Sequence, residues 1–355
     1  MNFLGERGQM TTTVIEPTPS PASRPFTSHL YADVAEILAR GPITPPAPTV
    51  GLRSDGAGLF YAGQVNMLFG DPESGKTLIA QCAAADELYL GRNVLIIDLD
   101  HNGAYATVSR FRSMGMKSEV LANPDRFRYS EPEDALEIDG IIADAKGWQP
   151  DLVVIDSIGE LLPVFAASSN SADDFTRVHA RAIKPFAKLG ATVVVIDHLA
   201  KGGDSRSFGS TGTAAKKRAI GGTMLRVVAV DQFAPGHGGK AEVSISKDRH
   251  GGLRAVSPTG KEPLAAKFVL TDREGALHWR FEAPQPGEVA TAVAVPSDSL
   301  EADVKALDDL DPAPRSKSDV AQRMRWGNSR ALSALQAWRE LRGVSAGDGL
   351  LRPVQ

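Results

Sequence analysis

Short apolar runs alternate with helical patterns through the middle of this sequence. Each run is a few residues long, is bounded by polar or turn residues, and is followed by apolar positions at helical spacing. Strands that alternate with helices in this way form parallel sheets. The pattern therefore predicts an α/β fold with a mainly parallel central sheet, and the strand candidates are residues 65–69, 94–99, 152–156, 192–197, 224–230 and 243–246.

One helix between the third and fourth strand candidates is marked at both ends. Ser171 and Asp174 form a capping box at its start, and Gly190 terminates it. Apolar residues between these signals recur at helical spacing and predict one buried face. They are Phe175, Val178, Ala182, Ile183 and Phe186.

The segments on either side of this domain have a different composition. Residues 11–50 include eight prolines, which indicates an extended arm with one short helix at residues 30–39. The apolar face of that helix packs either on its own domain or on a neighbouring subunit. We expect an arm over residues 1–50, a main domain over 51–281, a linker over 282–299, a small helical unit over 300–343 and a tail over 344–355.

Composition is that of an ordinary soluble protein. Of the 355 residues, 42% are hydrophobic and 23% charged, and the net charge of −4 neither indicates nor excludes a nucleic-acid partner. Cys82 is the only cysteine and cannot form an internal disulfide, which is typical of a cytosolic protein. Because residues 1–10 lack an apolar signal core and no apolar run is long enough to span a membrane, we expect a cytoplasmic protein without membrane contact.

The strongest chemical signal directly follows the first strand candidate. Residues 70–77 read G-x-x-x-x-G-K-T, the Walker A pattern, between an apolar strand and a helical stretch at 78–90. Glycines let the loop bend around phosphate, the lysine neutralises the β- and γ-phosphates, and the threonine hydroxyl can ligate magnesium. The pattern predicts that ATP and Mg²⁺ bind at Gly70, Asp71, Pro72, Glu73, Ser74, Gly75, Lys76 and Thr77.

Two other strand candidates end in acids. The run 152–156 ends at Asp156, a Walker B pattern whose carboxylate would hold magnesium at the carboxyl edge of the sheet. The run 94–99 is followed by Asp100, and Asp98 lies on the same face but further in, because side chains alternate along a strand. Asp100 therefore lies at the strand tip, where one interpretation is that it caps the next helix.

The fourth strand candidate ends next to His198, which either senses the γ-phosphate through a hydrogen bond or makes a local structural bond. The loop that follows, residues 200–222, is rich in Gly, Ser and Thr and carries positive charge. It either grips the backbone of single-stranded DNA without reading sequence or is an ordinary solvated loop. Its candidate DNA-contacting residues are Lys201, Arg206, Lys216, Lys217 and Arg218.

A basic turn follows the sixth strand candidate. Residues 246–252 read S-K-D-R-H-G-G, after an alternating strand and at the opening of a hairpin. Taken alone, Lys247 and Arg249 are two charges on a hairpin turn.

In this order, the motifs between residues 63 and 281 resemble the RecA-like ATPases of the RepA/DnaB helicase branch. Residues 97–103 and 247–253 are similar to AAA-family ATPases of actinobacterial chromosomes, plasmids and phages. The resemblance implies that Asp100 orients the attacking water, although a glutamate is usual there. It also implies that Lys247 and Arg249 reach into the ATP site of the neighbouring subunit, within a hexameric ring that hydrolyses ATP on DNA.

The C-terminal residues predict a small basic helix–turn–helix. Ser316 and Ser329 are helix caps on either side of a turn at residues 326–328. Residues 315–342 include seven basic residues and only two acidic ones. The unit either binds duplex DNA, with Arg330 on the second helix in contact, or is a helical hairpin that does not bind DNA.

These patterns favour an ATP-hydrolysing, DNA-associated motor, such as a replicative helicase, a loader or a recombination ATPase. The alternative is an ATP-gated DNA-binding regulator, in which nucleotide only controls assembly. Stimulation of turnover by single-stranded DNA distinguishes them, because only the motor predicts it.

Overall fold

The structure, a computed structural model, divides the chain into two units, residues 1–44 and 45–355. It describes residues 31–39, 41, 45–169, 171–198, 214–290, 297–324, 326 and 328–342. In the first unit the described residues contain one short helix, α1 (Val34–Ala39), and every residue of α1 is exposed. None of the described helices is long and apolar enough to cross a membrane.

A nine-stranded sheet forms the centre of the second unit. Its strands are β1 (Val65–Gly70), β2 (Val94–Asp98), β3 (Phe127–Ser130), β4 (Leu152–Asp156), β5 (Thr192–His198), β6 (Thr223–Ala234), β7 (Gly238–Asp248), β8 (Leu264–Arg273) and β9 (Ala276–Glu282). The spatial order is β3-β2-β4-β5-β1-β6-β7-β8-β9. Pairing is parallel from β3 to β6 and antiparallel from β6 to β9. The predicted α/β fold with a mainly parallel sheet is confirmed.

Apolar cores lie on both faces of the sheet. Side chains alternate along β1, so that Leu68 packs with the buried face of the helix after β1, while Met67 and Phe69 pack on the other face. The helices of this domain are α2 (Lys76–Tyr89), α3 (Ala104–Ser113), α4 (Ser118–Leu121), α5 (Ala135–Trp148), α6 (Ile158–Val164), α7 (Ala172–Val178), α8 (Lys184–Lys188), α9 (Ala214–Ala219) and α10 (Gly252–Ala255).

The helix predicted between Ser171 and Gly190 is present, with one irregular turn. The backbone N–H of Asp174 donates a 3.1 Å hydrogen bond to the Ser171 hydroxyl, and all five apolar residues of the predicted face are buried. A π-helical turn at His179–Ile183 separates α7 from α8. Pro185 follows this turn and has no N–H to donate to the preceding turn, which accounts for the break in regular pairing.

Three strands of the sheet are absent from the strand candidates, and two others are longer than their candidates. β3, β8 and β9 were not predicted, and β6 and β7 extend well beyond the predicted runs. β3 and β9 lie at the two edges of the sheet, where one side of a strand faces solvent and apolar runs are short. Along β9 the exposed and partly buried residues alternate, so no apolar run marks it.

The segment before β1 is part of the folded unit. Val50 pairs with Phe60, and Arg53 pairs with Phe281 at the end of β9. Val50, Phe60 and Tyr61 are almost fully buried. The folded unit therefore begins earlier than the predicted boundary at residue 51.

Three helices form the C-terminal part of the described chain: α11 (Ser297–Asp308), α12 (Lys317–Met324) and α13 (Asn328–Arg342). The backbone N–H of Asp319 donates a 3.1 Å hydrogen bond to the Ser316 hydroxyl, as expected of the predicted cap. The first helix, α11, adds to the predicted pair. Its Leu307 shares a buried core with residues of the other two helices, namely Val320, Ala331, Ala334, Leu335 and Trp338.

Candidate nucleotide-binding site

The carboxyl ends of four parallel strands bring the predicted phosphate chemistry to one edge of the sheet. In the strand register Gly70 pairs with His198, and Asp98 pairs with Asp156. The Walker A loop leaves β1 at this edge and leads directly into α2. Ligands of open α/β sheets bind at this edge, so the fold alone places the candidate residues together.

Both glycines of the Walker A loop are required by its conformation. Gly75 has a left-handed backbone with φ of 94°, and a Cβ atom there would lie 2.5 Å from the ring of Phe233. A Cβ atom at Gly70 would lie 2.3 Å from the carbonyl oxygen of Val227. Any side chain at either position would displace the neighbouring strand β6 or the loop itself.

Lys76 lies folded against the carbonyls of its own loop. Its Nζ donates to the carbonyl oxygens of Asp71 at 2.6 Å and Gly70 at 3.2 Å, and it lies 3.4 Å from the Ser74 hydroxyl. Burial lowers the pKa of Lys76, while the carboxylates of Asp156 and Asp100 act in the opposite direction. The ammonium of Lys76 is therefore held inside the loop by the loop's own carbonyls.

Thr77 and Asp156 meet beside the loop. The Thr77 hydroxyl donates a 2.7 Å hydrogen bond to Oδ2 of Asp156, whereas the buried Oδ1 has no hydrogen-bond partner among the described residues. Burial raises the pKa of Asp156 to about 6; the Thr77 hydrogen bond lowers it, and the nearby carboxylates of Asp100 and Asp98 raise it. A hydroxyl oxygen beside a carboxylate oxygen that lacks a partner is a donor set that fits Mg²⁺.

The two acids at the end of β2 have different surroundings. Asp98 is buried and accepts hydrogen bonds from the Tyr129 hydroxyl at 2.6 Å, from the Asn102 amide at 2.9 Å, and from the backbone N–H groups of Asp100 and Gly103 at 3.1 and 2.9 Å. Burial raises the pKa of Asp98, but the hydrogen bonds from Tyr129 and Asn102 outweigh it and leave that pKa below its ordinary value. The hydrogen bonds of Asp98 thus stabilise the turn that follows β2.

Asp100 is the more exposed of the two acids. Its carboxylate is 37% exposed and lies 3.9 Å from Nε2 of His198, which is 36% exposed. Asp100 does not cap the next helix, because α3 has Gly103 as its N-cap without a side-chain cap. The capping interpretation of Asp100 is therefore wrong, and Asp98 instead accepts the Gly103 N–H.

Asn102 and Tyr129 were missed by the sequence reasoning. The Asn102 amide bridges the two acids, at 2.9 Å from Asp98 and 3.4 Å from Oδ2 of Asp156. Asn102 could have been noticed as a polar residue near a strand tip. Tyr129 is on β3, an edge strand that the pattern did not reveal, so nothing local linked it to the site.

The prediction that Lys216 contacts DNA is wrong for this structure. Its ammonium forms a 2.7 Å ion pair with Oδ2 of Asp197, and both side chains are 1% exposed. Burial raises the pKa of Asp197, and the Lys216 charge opposes that shift. Lys216 thus fastens α9 to the tip of β5. Lys217 and Arg218 are exposed on the same helix, whereas Lys201 and Arg206 lie outside the described residues.

Lys247 and Arg249 have different environments. Nζ of Lys247 donates to the carbonyl oxygens of Lys217 at 2.5 Å and Ile220 at 2.6 Å, at the C-terminal end of α9. Burial lowers the pKa of Lys247 to about 8, and the charges of Arg249 and Lys217 add to this effect. Lys247 thus binds carbonyls of its own chain, and of the predicted finger pair only Arg249 is exposed.

Arg249 lies level with the amino ends of the parallel strands, whereas the Walker A loop lies at their carboxyl ends. Asp248, the last residue of β7, pairs with Thr223 at the start of β6, and β6 runs parallel to β1 with Met224 opposite Met67. The turn is therefore level with the first residues of β1, whereas the loop follows its last residue. The length of β1 separates them by about 17 Å, at about 3.3 Å per residue.

The C-terminal unit is less basic than its last two helices indicated. Arg330 forms a 2.6 Å ion pair with Asp303, and Arg342 forms a 2.5 Å ion pair with Asp308, both acids being on α11. Residues 297–342 include eight acidic and eight basic side chains, so their formal charge is zero. The predicted DNA contact by Arg330 therefore competes with an ion pair inside the unit.

Comparison with known proteins agrees with this site. Residues 46–204 match the family model described as an AAA domain. Protein RecA of Streptococcus pyogenes serotype M49 (strain NZ131) is 30% identical over 141 residues, which cover 39% of this chain and 35% of that protein. Protein RecA of Streptococcus parasanguinis is 30% identical over 141 residues, which cover 39% of this chain and 34% of that protein. The chain thus spans about a third of the length of these relatives.

Among solved structures, a KaiC-like protein from the hyperthermophilic archaeon Pyrococcus horikoshii OT3 aligns with a TM-score of 0.47 and 13% sequence identity. The alignment covers 67% of this chain and 99% of that protein. The sheet topology and the phosphate loop show a P-loop NTPase fold, and the matches to the AAA domain and to RecA support its similarity to RecA-like ATPases.

Proposed function

We propose that this protein is an ATP-hydrolysing, DNA-associated motor that works as a hexameric ring of identical subunits. One observation carries the proposal. The Walker A loop and its acids lie at the carboxyl ends of the parallel strands, whereas the exposed Arg249 lies level with their amino ends. An arginine so far from its own loop serves a nucleotide site only if that site belongs to another copy of the chain.

The residues at the loop have separate tasks in this proposal. Bound Mg²⁺·ATP supplies the transferable phosphoryl group and the divalent charge that offsets its oxygens. Lys76 would bind the β- and γ-phosphates in place of the loop carbonyls, and Thr77 and Asp156 would hold the metal through their oxygens. Asp100 orients the attacking water and accepts its proton, since its carboxylate is exposed beside the loop. His198 senses the γ-phosphate from the neighbouring strand tip.

The second subunit contributes Arg249. A guanidinium stabilises the negative charge that spreads over the transferred phosphoryl oxygens, and such arginine fingers contribute roughly 10³–10⁵ to turnover. Lys247 can act beside it only after leaving the carbonyls of Lys217 and Ile220. For this reason we assign the finger role to Arg249.

DNA is proposed to bind at the basic loop rather than at the C-terminal unit. Lys217 and Arg218 are exposed on α9, and Lys201 and Arg206 precede them in sequence. Contacts of this kind neutralise phosphates without reading bases, which suits single-stranded DNA inside a ring. The ion pairs of Arg330 and Arg342 with acids of α11 weigh against duplex binding by the C-terminal helices.

The proposal is tested by two measurements on the full chain. ATP turnover is measured without DNA, with single-stranded DNA and with duplex DNA, and the mass of the protein is measured with and without ATP. We expect stimulation by single-stranded DNA and a multi-subunit mass in the presence of ATP. ATP-dependent assembly without DNA-stimulated turnover would favour the regulator instead, and a monomeric mass at all nucleotide concentrations would exclude the ring.

A further inference from the structure

The turn that carries Arg249 is held by a residue from a distant part of the chain. Tyr61 precedes β1 and is buried, and its hydroxyl donates a 2.8 Å hydrogen bond to Oδ1 of Asp248. The same hydroxyl oxygen accepts hydrogen bonds from the backbone N–H groups of Gly252 at 2.9 Å and Leu253 at 3.3 Å. Tyr61 thus binds the turn on both sides of Arg249.

Asp248 completes this arrangement. Its Oδ1 accepts from the backbone N–H of Gly251 at 3.0 Å, and its Oδ2 accepts from that of Arg254 at 2.9 Å. The first N–H groups of a helix have no partner within the helix and need acceptors from elsewhere. Together, Tyr61 and Asp248 accept all four consecutive N–H groups from Gly251 to Arg254, which fixes where α10 begins.

Close packing leaves the turn little freedom. The ring of His250 lies edge-on to Tyr61, with ring centres 4.9 Å apart. A Cβ atom at Gly252 would lie 2.6 Å from the carbonyl oxygen of Pro46. The backbone N–H of Arg249 itself donates a 3.3 Å hydrogen bond to the carbonyl of Gly222. Only the Arg249 side chain projects from this packed turn into solvent.

A buried arginine extends the same support beyond α10. The side chain of Arg53 is fully buried and forms a 2.6 Å ion pair with Asp55. Its guanidinium also donates to the carbonyl oxygens of Val256 at 2.9 Å and Ala265 at 2.7 Å. The segment before β1 therefore supports the chain from the end of β7 to the start of β8.

We propose that Tyr61 and Asp248 are positioning residues for Arg249, and that they hold its turn in the orientation in which the guanidinium enters the neighbouring subunit's ATP site. This inference rests on the proposed role of Arg249 across the subunit boundary. The cause is geometric: without the Tyr61 hydroxyl, two N–H groups at the start of α10 lose their acceptor and the turn can move. A displacement of about 1 Å in a catalytic group can cost about a hundredfold in rate.

The first test uses Tyr61→Phe, which removes only the hydroxyl, and Asp248→Asn, which keeps the size of the side chain. We expect turnover at least tenfold below that of the unaltered protein, with the KM for ATP nearly unchanged, because the P-loop of each subunit is intact. Tyr89→Phe is the matched control, since it also removes one hydroxyl that donates a hydrogen bond, in this case to the backbone carbonyl of Met114 at 2.7 Å. Thermal unfolding of all three variants checks that they fold. Normal turnover in folded Tyr61→Phe and Asp248→Asn would overturn the inference.

The second test separates a displaced finger from a general defect. Tyr61→Phe is mixed with Lys76→Ala under conditions that allow subunit exchange, and separately with Arg249→Ala. We expect recovery only with Lys76→Ala, because that subunit provides a well-placed finger to the intact P-loop of Tyr61→Phe. Recovery with Arg249→Ala, or no recovery with Lys76→Ala, would contradict the positioning role. A parallel mixture of Lys76→Ala with Arg249→Ala identifies the cause, since its failure would remove the proposed subunit-crossing function itself.

Discussion

The Thr77 hydroxyl donates a 2.7 Å hydrogen bond to Oδ2 of Asp156, which joins the first turn of α2 to the tip of β4. The other oxygen of Asp156 is buried and has no hydrogen-bond partner among the described residues. The two Walker patterns, far apart in sequence, therefore meet in one pair of oxygen-bearing side chains. Oxygen donors of this kind are what Mg²⁺ prefers.

Asp156→Asn is expected to lose magnesium-dependent turnover by a hundredfold or more while keeping its fold, because the amide replaces the anionic ligand. The measurement is ATP turnover over a range of Mg²⁺ concentrations, with thermal unfolding in parallel. Asp173→Asn, an exposed site on α7, is the matched control. An unaltered magnesium dependence in Asp156→Asn would show that another acid holds the metal.

Asp100→Asn is expected to bind ATP with nearly unchanged affinity and to hydrolyse it about 10²–10⁴ times more slowly, as for loss of a general base. Asp98→Asn differs, because it disturbs a buried acceptor of four hydrogen bonds and lowers the thermal stability. Nucleotide affinity, single-turnover hydrolysis and unfolding are measured on both variants. If Asp100→Asn hydrolyses ATP at the normal rate, Asp100 has no catalytic role.

Adjacent lysines on α9 give the third prediction. Lys216→Ala leaves the Asp197 carboxylate buried without its partner, and we expect a loss of about 3–5 kcal/mol in the free energy of unfolding. Lys217→Ala removes an exposed charge, so its stability stays within about 0.5 kcal/mol. Its affinity for single-stranded DNA is expected to fall, with a shallower salt dependence. Chemical unfolding and DNA titrations at several salt concentrations test this contrast, and equal stabilities would contradict the buried ion pair.

The clustering of the candidate phosphate-binding residues could be predicted from sequence because its signals are local. The G-x-x-x-x-G-K-T spacing needs only eight consecutive residues, and Asp156 ends an apolar run. Since the carboxyl ends of parallel strands share one edge, these local signals converge without knowledge of the strand order. The same argument placed His198 and Asp100 beside the loop, and the structure brings their side chains within 3.9 Å.

Pairing through space could not be predicted in this way. In the sequence, Lys216 is one of several basic residues in the same segment. Only its ion pair with Asp197 on β5 shows that Lys216 is buried. Tyr129 and Tyr61 act through single hydroxyls, on an edge strand and on a segment outside any regular element. The acids Asp303 and Asp308 of α11 precede the basic stretch at residues 315–342, so the sequence of that stretch alone does not indicate that they neutralise Arg330 and Arg342.

The pH dependence of stability provides a test at His179, in the π-helical turn. Burial lowers the pKa of His179 to about 4, from an ordinary value of 6.5, and the charge of Lys184 adds to this effect. Between these pH values the unfolded chain binds a proton that the folded chain does not, so stability rises with pH from about 4 to 6.5 and is fully present above 6.5. The shift corresponds to about 3 kcal/mol.

His179→Gln removes this titration. We therefore expect the difference in unfolding free energy between the unaltered protein and His179→Gln to change by up to about 3 kcal/mol between pH 7 and pH 4, in favour of the variant at low pH. Urea unfolding at several pH values measures it. His278→Gln, at an exposed histidine, is measured in parallel as the control. A constant difference for His179→Gln would contradict the buried neutral imidazole.

The most direct test of a nucleotide site shared between subunits is to mix Lys76→Ala with Arg249→Ala. Each variant alone is expected to be inactive, the first because it lacks the phosphate-binding cation and the second because it lacks the finger. Under conditions of demonstrated subunit exchange, ATP turnover of the mixture should rise above that of either variant, because some interfaces combine an intact P-loop with an intact Arg249. Turnover that stays at the level of the separate variants would contradict a site completed by a neighbouring subunit.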